Sequence, residues 1–174
     1  MLAADSIKNR LGLGRYYRLA YNGFALLHLG LVWWFGRIWL SGAPPLGLPE
    51  KVAVAGDIVT VAGLAVIAVA LTGYDRGRFL GTAKIRSPED APDEDLKTAG
   101  LLRYVRHPLY SGLFLALWGQ AQTEFALATA VWGSVYLLIG AKYEERRLIG
   151  RYGDAYAAYR RRVPAFFPWR GRAG

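Results

Sequence analysis

Four apolar runs, at 17–40, 52–72, 109–120 and 125–141, alternate along the chain with charged connectors. A membrane-crossing helix needs about 20 mostly apolar residues, and the first two runs are long enough. Trp33, Trp34 and Trp39 in the first suit an aromatic belt at a membrane interface. The last two runs are shorter and joined by the polar link 120–124. They read as a helical hairpin whose tip lies at or just below the far interface; a helix starting before Pro108, near Thr98, would lengthen the third. Further on, Tyr156, Tyr159 and Val163 recur at helical spacing while Arg160, Arg161 and Arg162 take the other faces. That pattern predicts an amphipathic helix over 154–163. Gly153 breaks it from the helix before it, Asp154 is its N-cap, and Pro164 and Pro168 end it. The predicted fold is all-α: a polytopic membrane protein of about four transmembrane helices, the last two a hairpin, plus the C-terminal amphipathic helix. It forms a single membrane domain over 1–174, with N-terminal spans and a cytoplasmic loop in 1–99.

Charge orients these elements. Lys8, Arg10, Arg15 and Arg18 precede the first run, and the link 41–51 is almost uncharged. The link 73–106 carries Arg76, Arg78, Lys84, Arg86, Lys97, Arg103 and Arg106, the hairpin tip has no Lys or Arg, and the tail is dense in Arg. The positive-inside rule then puts both termini and the second link on the cytoplasmic side, here of a bacterial inner membrane, with Arg37 snorkelling to the outer interface. The formal net charge of +9 would suggest nucleic acid in a soluble protein. Beside membrane spans it meets anionic lipid, so the bilayer is the expected partner and nucleic acid is not. The stretch 87–95, SPEDAPDED, reads as an exposed acidic loop. The N-terminal residues, with Asp5, Lys8, Arg10 and Arg15 and no cleavage pattern, do not read as a signal peptide. There are no cysteines and only two histidines, which excludes disulfides, thiolate nucleophiles, Cys-based metal centres and an all-His metal site; no metal is expected.

Candidate chemistry gathers in two places. The first is Arg106-His107-Pro108-Leu109-Tyr110-Ser111-Gly112, where the charged link meets the third run. Pro108 suits the first turn of a helix and pushes His107 out of the α region. A helix beginning this sharply at a membrane surface presents N–H groups and its positive dipole end, a site for a carboxylate or phosphate. Arg106 and His107 add donors, and Gly112 lets another backbone or a ligand come close. The plainer alternative is a helix start with interfacial anchors. The second place is Glu144-Glu145, at the end of the fourth run. Carboxylates there oppose the helix dipole. They require either pairing, with Arg147, Arg151 or the tail arginines, or a cationic or hydroxyl-rich ligand.

Taken together, RHPLYSG, about thirty residues of apolar hairpin, EExxL, a Tyr-Gly, YxxY, VP and a final Pro resemble the isoprenylcysteine carboxyl methyltransferase and phospholipid methyltransferase superfamily, integral membrane enzymes that use S-adenosylmethionine. The resemblance covers about 100–168, and residues 1–99 match only as hydrophobic spans. It implies a cofactor-binding region over 100–168, in which His107, Pro108 and Tyr110 enclose the cofactor, Leu102 takes a neighbouring contact position and Glu144 supplies the carboxylate after the hairpin. Arg106, Leu109, Gly112 and Glu145 flank these and complete the candidate cofactor-binding set; no catalytic residue is assigned. The family's isoprenylcysteine enzymes carry an Arg one turn before the Glu pair for the substrate carboxylate. This chain has Gly140 there, with Lys142 nearby, which argues against a prenylcysteine. A bacterial branch that includes methanethiol S-methyltransferases carries similar motifs. The implied acceptor is a thiol, phospholipid amine or small carboxylate, lipophilic or volatile, reached laterally from the bilayer. The alternative is a non-catalytic membrane scaffold or accessory subunit. His28 in the first run reads as a neutral side chain bonded to a neighbouring helix. The glycines at 73, 77 and 81 read as packing of a short interfacial turn.

Overall fold

The computed structural model describes residues 44–73 and 95–169 continuously, together with Leu27, Leu31, Trp34, Phe35, Gly36, Ile38 and Gly42. The basic N-terminus, His28, Arg37, the second link from 74 to 94 with its acidic loop and the glycines at 77 and 81, and the residues after Trp169 lie outside the described residues. The chain divides into two compact units, Met1–Gly42 with Tyr74–Glu94 and Ala43–Gly73 with Asp95–Gly174. In the first unit, Leu27, Leu31, Trp34, Phe35 and Ile38 are helical and exposed, the spacing of one face of a helix. All that follows concerns the second unit.

Helix α1, Glu50–Thr72, follows Pro49, which cannot continue a helix backwards, and carries Glu50 in its first turn, where the dipole favours an acid. At 1.5 Å per residue it is about 35 Å long, more than the ~30 Å bilayer core. Ile58, Val61, Leu64 and Val69 point outward and exposed, which costs free energy in water and none in lipid. Helix α2, Pro108–Gly119, is about 18 Å long and cannot cross alone. Helix α3, Glu124–Arg162, starts at Thr123, whose hydroxyl accepts from Ala126 N at 3.2 Å, and is broken at Gly153 (φ 52°, ψ −127°). That backbone lies in the region open to glycine, so the break falls where the sequence places it. Among the described residues the architecture is helical without strands, and α1 and α3 are long and apolar enough to cross a membrane.

α1 and α2 run antiparallel at backbone contact. Gly63 faces Gly112, and Gly56 faces Gly119: a Cβ at Gly63 would lie 2.6 Å from Gly112 O, and one at Gly56 would lie 2.6 Å from Gly119 O. The seven-residue spacing along each helix, Gly56 to Gly63 and Gly112 to Gly119, keeps both of its glycines on one face. At one end of the unit the lead-in to α1 is tied to the hairpin tip, with Leu46 N donating to Gln122 O at 3.0 Å and Glu124 N to Pro44 O at 3.2 Å. The opposite end gathers Gly73, His107 and the polar half of α3.

One expectation changes: no helix reaches back from Pro108 to Thr98. A short 3-10 helix, Gly100–Arg103, ends at Tyr104, and His107 is held at φ −125°, ψ 65°, as the following proline requires. As the sequence places them, Glu144 and Glu145 lie in α3 before its break at Gly153. Beyond Gly153, Tyr156, Tyr159 and Val163 form a buried cluster against Leu96, Leu148 and Tyr152, so the amphipathic segment turns its apolar stripe onto the protein.

Candidate functional site

The end of the unit that carries His107 brings the two candidate segments together. Arg106 and Glu145, 39 residues apart, form a doubly hydrogen-bonded pair: Nε donates to Oε1 at 2.8 Å and Nη2 to the same oxygen at 2.6 Å. The side chains are 10% and 15% exposed, so the pair is largely shielded from water. The third guanidinium nitrogen donates to Arg160 O at 3.1 Å and to Val163 O, carbonyls at the end of the tail helix, the part of α3 after Gly153, that have no intrahelical partner. Arg106 therefore joins the lead-in to α2, the polar half of α3 and the end of the tail helix. Arg160 lies 3.8 Å from Glu145. The sequence anticipated a tail arginine opposite the Glu pair; it did not single out Arg106 as the main partner, because only the fold makes them neighbours.

His107 is buried between the two carboxylates. Nε2 lies 3.2 Å from Glu145 Oε1, and Nδ1 lies 3.6 Å from Glu144 Oε2. Tyr110 stacks on the imidazole, centroid to centroid 5.4 Å at 10° between planes. Glu144, in the polar half of α3 beyond its apolar stretch, is the more open carboxylate at 38% exposure. The His107 ring is the main cause holding its carboxyl below the usual carboxylate range; burial opposes this, and Tyr110 and Arg147 add to the lowering. Glu144 is thus ionised at neutral pH and open to a ligand, whereas Glu145 is engaged by Arg106.

A strap after the tail helix closes over this group. Arg106 N donates to Pro164 O and His107 N to Ala165 O, both at 2.9 Å. The Ser111 hydroxyl, buried, donates to Phe166 O at 2.6 Å and lies 3.0 Å from His107 O. Tyr159 donates to Leu102 O at 2.6 Å, tying the tail helix to the 3-10 helix. The Tyr156 hydroxyl is a buried side-chain polar atom with no hydrogen-bond partner among the described residues; burial and then the Glu145 charge push its pKa up to about 12.

Of the candidate residues, Arg106, His107, Tyr110, Glu144 and Glu145 meet at this one place. Pro108 is buried and Leu109 half-buried in the first turn of α2, and half-buried Leu102 approaches through Tyr159. Gly112 faces α1: a Cβ there would lie 2.7 Å from Gly63 O, so the close neighbour it admits is a backbone. Ser111, Tyr156 and the strap residue Phe166 were not among the candidate site residues; the hydroxyl one turn after a His-Pro step was the available signal for Ser111.

The chain is similar in sequence to proteins named as methyltransferases. Methanethiol S-methyltransferase 1 of Bradyrhizobium diazoefficiens is 31% identical over 162 residues, 88% of this chain and 55% of that protein. A methanethiol S-methyltransferase of Crocosphaera subtropica is 39% identical over 77 residues, 44% of this chain and 30% of its own. The protein-S-isoprenylcysteine O-methyltransferase of Schizosaccharomyces pombe is 35% identical over 83 residues, 44% and 34% of the two chains. The chain is a relative of the isoprenylcysteine carboxyl methyltransferase-like enzymes. The matched stretch spans little more than half of the first relative and about a third of the other two. No family model and no solved structure matches the chain.

Proposed function

We propose that this chain is an integral membrane methyltransferase that binds S-adenosylmethionine at the His107 end, on the cytoplasmic side, and methylates a thiol arriving from the bilayer. The observation that carries this reading is the convergence of His107, Tyr110 and Glu144 into one place in a chain whose relatives are named methyltransferases. The residues fit the cofactor. Glu144, ionised and open, suits its ammonium group or ribose hydroxyls, and the Tyr110 face attracts a sulfonium. When bound, the cofactor would supply an electrophilic methyl group to the sulfur of the thiol, whose proton leaves to water, while the donor departs as a neutral thioether. The protein's own part is alignment and exclusion of water. Arg106, Glu145 and the strap carbonyls hold His107 in register, and the Phe166 ring lies 5.6 Å from the imidazole.

Titration of the purified protein with S-adenosylhomocysteine is expected to show binding, weakened about tenfold or more by Glu144→Gln, a loss of about 1.4 kcal/mol. Absence of binding by the wild type, or equal affinity of a His107→Ala, Glu144→Ala variant, would overturn the reading.

A thiol fits better than a carboxylate because of Gly140. A Cβ on Gly140 would lie 3.6 Å from the Tyr110 hydroxyl, so this position faces the site, and it is where the isoprenylcysteine enzymes carry the arginine for their substrate carboxylate. Here it presents no cation. A Cβ at 3.6 Å is an ordinary contact; Gly140→Arg, checked for folding by thermal unfolding, is expected to lower kcat/KM for a small thiol about tenfold, with a measurable gain in affinity for a prenylcysteine carboxylate. Radiolabelled methyl transfer to each acceptor reads both; unchanged thiol turnover would count against the placement of the acceptor beside Tyr110.

A further inference from the structure

Between α1, α2, α3 and the strap lies an open apolar groove of about 370 Å³, lined by Val59, Phe114, Leu115, Trp118, Ser134 and Phe167. That volume is at the low end of the roughly 300–1,000 Å³ of small-molecule sites. Its one hydroxyl is already engaged: Ser134 donates to Ala130 O at 2.7 Å and accepts from Trp118 Nε1 at 3.0 Å. The lining offers no charge, so an ionised acceptor would lose its hydration there without compensation, whereas a hydrocarbon tail loses nothing. The groove and the His107 site are connected through rings. Phe114 on the groove wall meets Phe166 edge to face at 5.1 Å, and Phe166 meets His107 at 5.6 Å. Phe167, the next strap residue, is 6.4 Å from Phe114 on the groove side. The Phe166 backbone is pinned by Ser111 at 2.6 Å, so its ring stands at the boundary by design of the strap and not by packing alone.

We propose that Phe166 is a specificity-determining residue, the wall between the His107 site and an apolar groove that holds the hydrocarbon tail of a neutral alkanethiol. This rests on the methyltransferase reading for its acceptor chemistry, but its geometry can be tested without methyl transfer. The thiol group reaches the site past the edge of Phe166, and the tail remains among Phe114, Trp118 and Phe167. Ring size at 166 thereby sets how far an acceptor advances.

The test is photolabelling of the full chain in nanodiscs with a short alkanethiol bearing a diazirine at its tail end, without methyl donor, followed by mapping of the labelled residues. In the wild type, label is expected on Phe114, Trp118 and Phe167, competed by unlabelled alkanethiol but not by an alkyl carboxylate. In Phe166→Ala, label at His107 and Tyr110 is expected to rise at least tenfold relative to groove label, with Phe166→Leu intermediate. The ratio is taken within one preparation, so partial misfolding cancels. Ser134→Trp, which fills the groove, is expected to abolish groove label. The same distribution in wild type and Phe166→Ala, or competition by the carboxylate, would overturn the proposal. Failure of the methyltransferase reading shows separately, as absence of S-adenosylhomocysteine binding.

Discussion

Replacing Arg106 by alanine is expected to lower the melting temperature of the detergent-solubilised protein by roughly 10 °C. Removing one partner of a buried ion pair costs about 3–5 kcal/mol, because the other charge is left without compensation, and each kcal/mol is worth about 2–4 °C in a protein of this size. Arg106 does more than neutralise Glu145. It caps Arg160 O and Val163 O, so its loss also strands carbonyls at the end of the tail helix. Glu145 would keep His107 at 3.2 Å and Arg160 at 3.8 Å. The second contact is to a side chain 49% exposed, where an ion pair contributes little. Glu145→Gln leaves Arg106 its two carbonyl acceptors and is expected to cost less. Replacing both partners by methionine is expected to recover at least half of the lost stability, since the desolvation of both charges goes with them. A double-mutant cycle by thermal unfolding checks this: strictly additive losses, with coupling below about 0.5 kcal/mol, would mean that the pair is not a unit.

That pair also shows how far the sequence could be read. The helix break at Gly153, the buried stripe of Tyr156, Tyr159 and Val163, the start of α2 at Pro108 and the non-helical His107 were all legible, because each is dictated within a few residues by backbone sterics or by periodicity. The partner of Glu145 was not. Helical spacing offers only neighbours along the same helix, such as Arg147, whereas Arg106 lies 39 positions away and arrives through the hairpin. The strap was likewise hidden, since Pro164 and Pro168 announce the end of a helix and not where the chain goes next. The α1–α2 contact lay between these cases. Gly112 was marked as a place of close approach with the neighbour left open. Gly56 and Gly63 repeat the seven-residue spacing of Gly112 and Gly119, and that shared interval, in place of the four-residue interval at 73, 77 and 81, was the usable signal.

The same ladder carries the second large effect. Gly112→Ala is expected to destabilise the protein and weaken S-adenosylhomocysteine binding together, although residue 112 faces α1. The added Cβ would lie 2.7 Å from Gly63 O and from Ile67 Cγ1, and 3.0 Å from Ile67 N. Two of these three atoms are backbone and cannot swing away, so α1 and α2 must part. Alanine gains about 1 kcal/mol of helix propensity over glycine, against overpacking of about 1–3 kcal/mol. With a rigid neighbour the second prevails. In lipid there is little hydrophobic force to draw the helices back together, because contact with tails replaces contact with the partner at small cost. Gly112→Val extends the clash and is expected to prevent a stable α1–α2 pair. Gly150 supplies the control: it is exposed in α3 and a Cβ there meets nothing within 4 Å, so Gly150→Ala keeps only the propensity gain and is expected to stabilise by about 0.5–1 kcal/mol. The link to binding is geometric. Gly112 lies just over one turn beyond His107 on a helix about 18 Å long, so any displacement of α2 from α1 carries the imidazole away from Glu144, which is held by α3. Thermal unfolding and S-adenosylhomocysteine titration on the same preparations check both halves. A Gly112→Ala protein as stable as the wild type would show that the helices are not in backbone contact. A destabilised one with undiminished affinity would show that the site is positioned by α3 and the strap without α1.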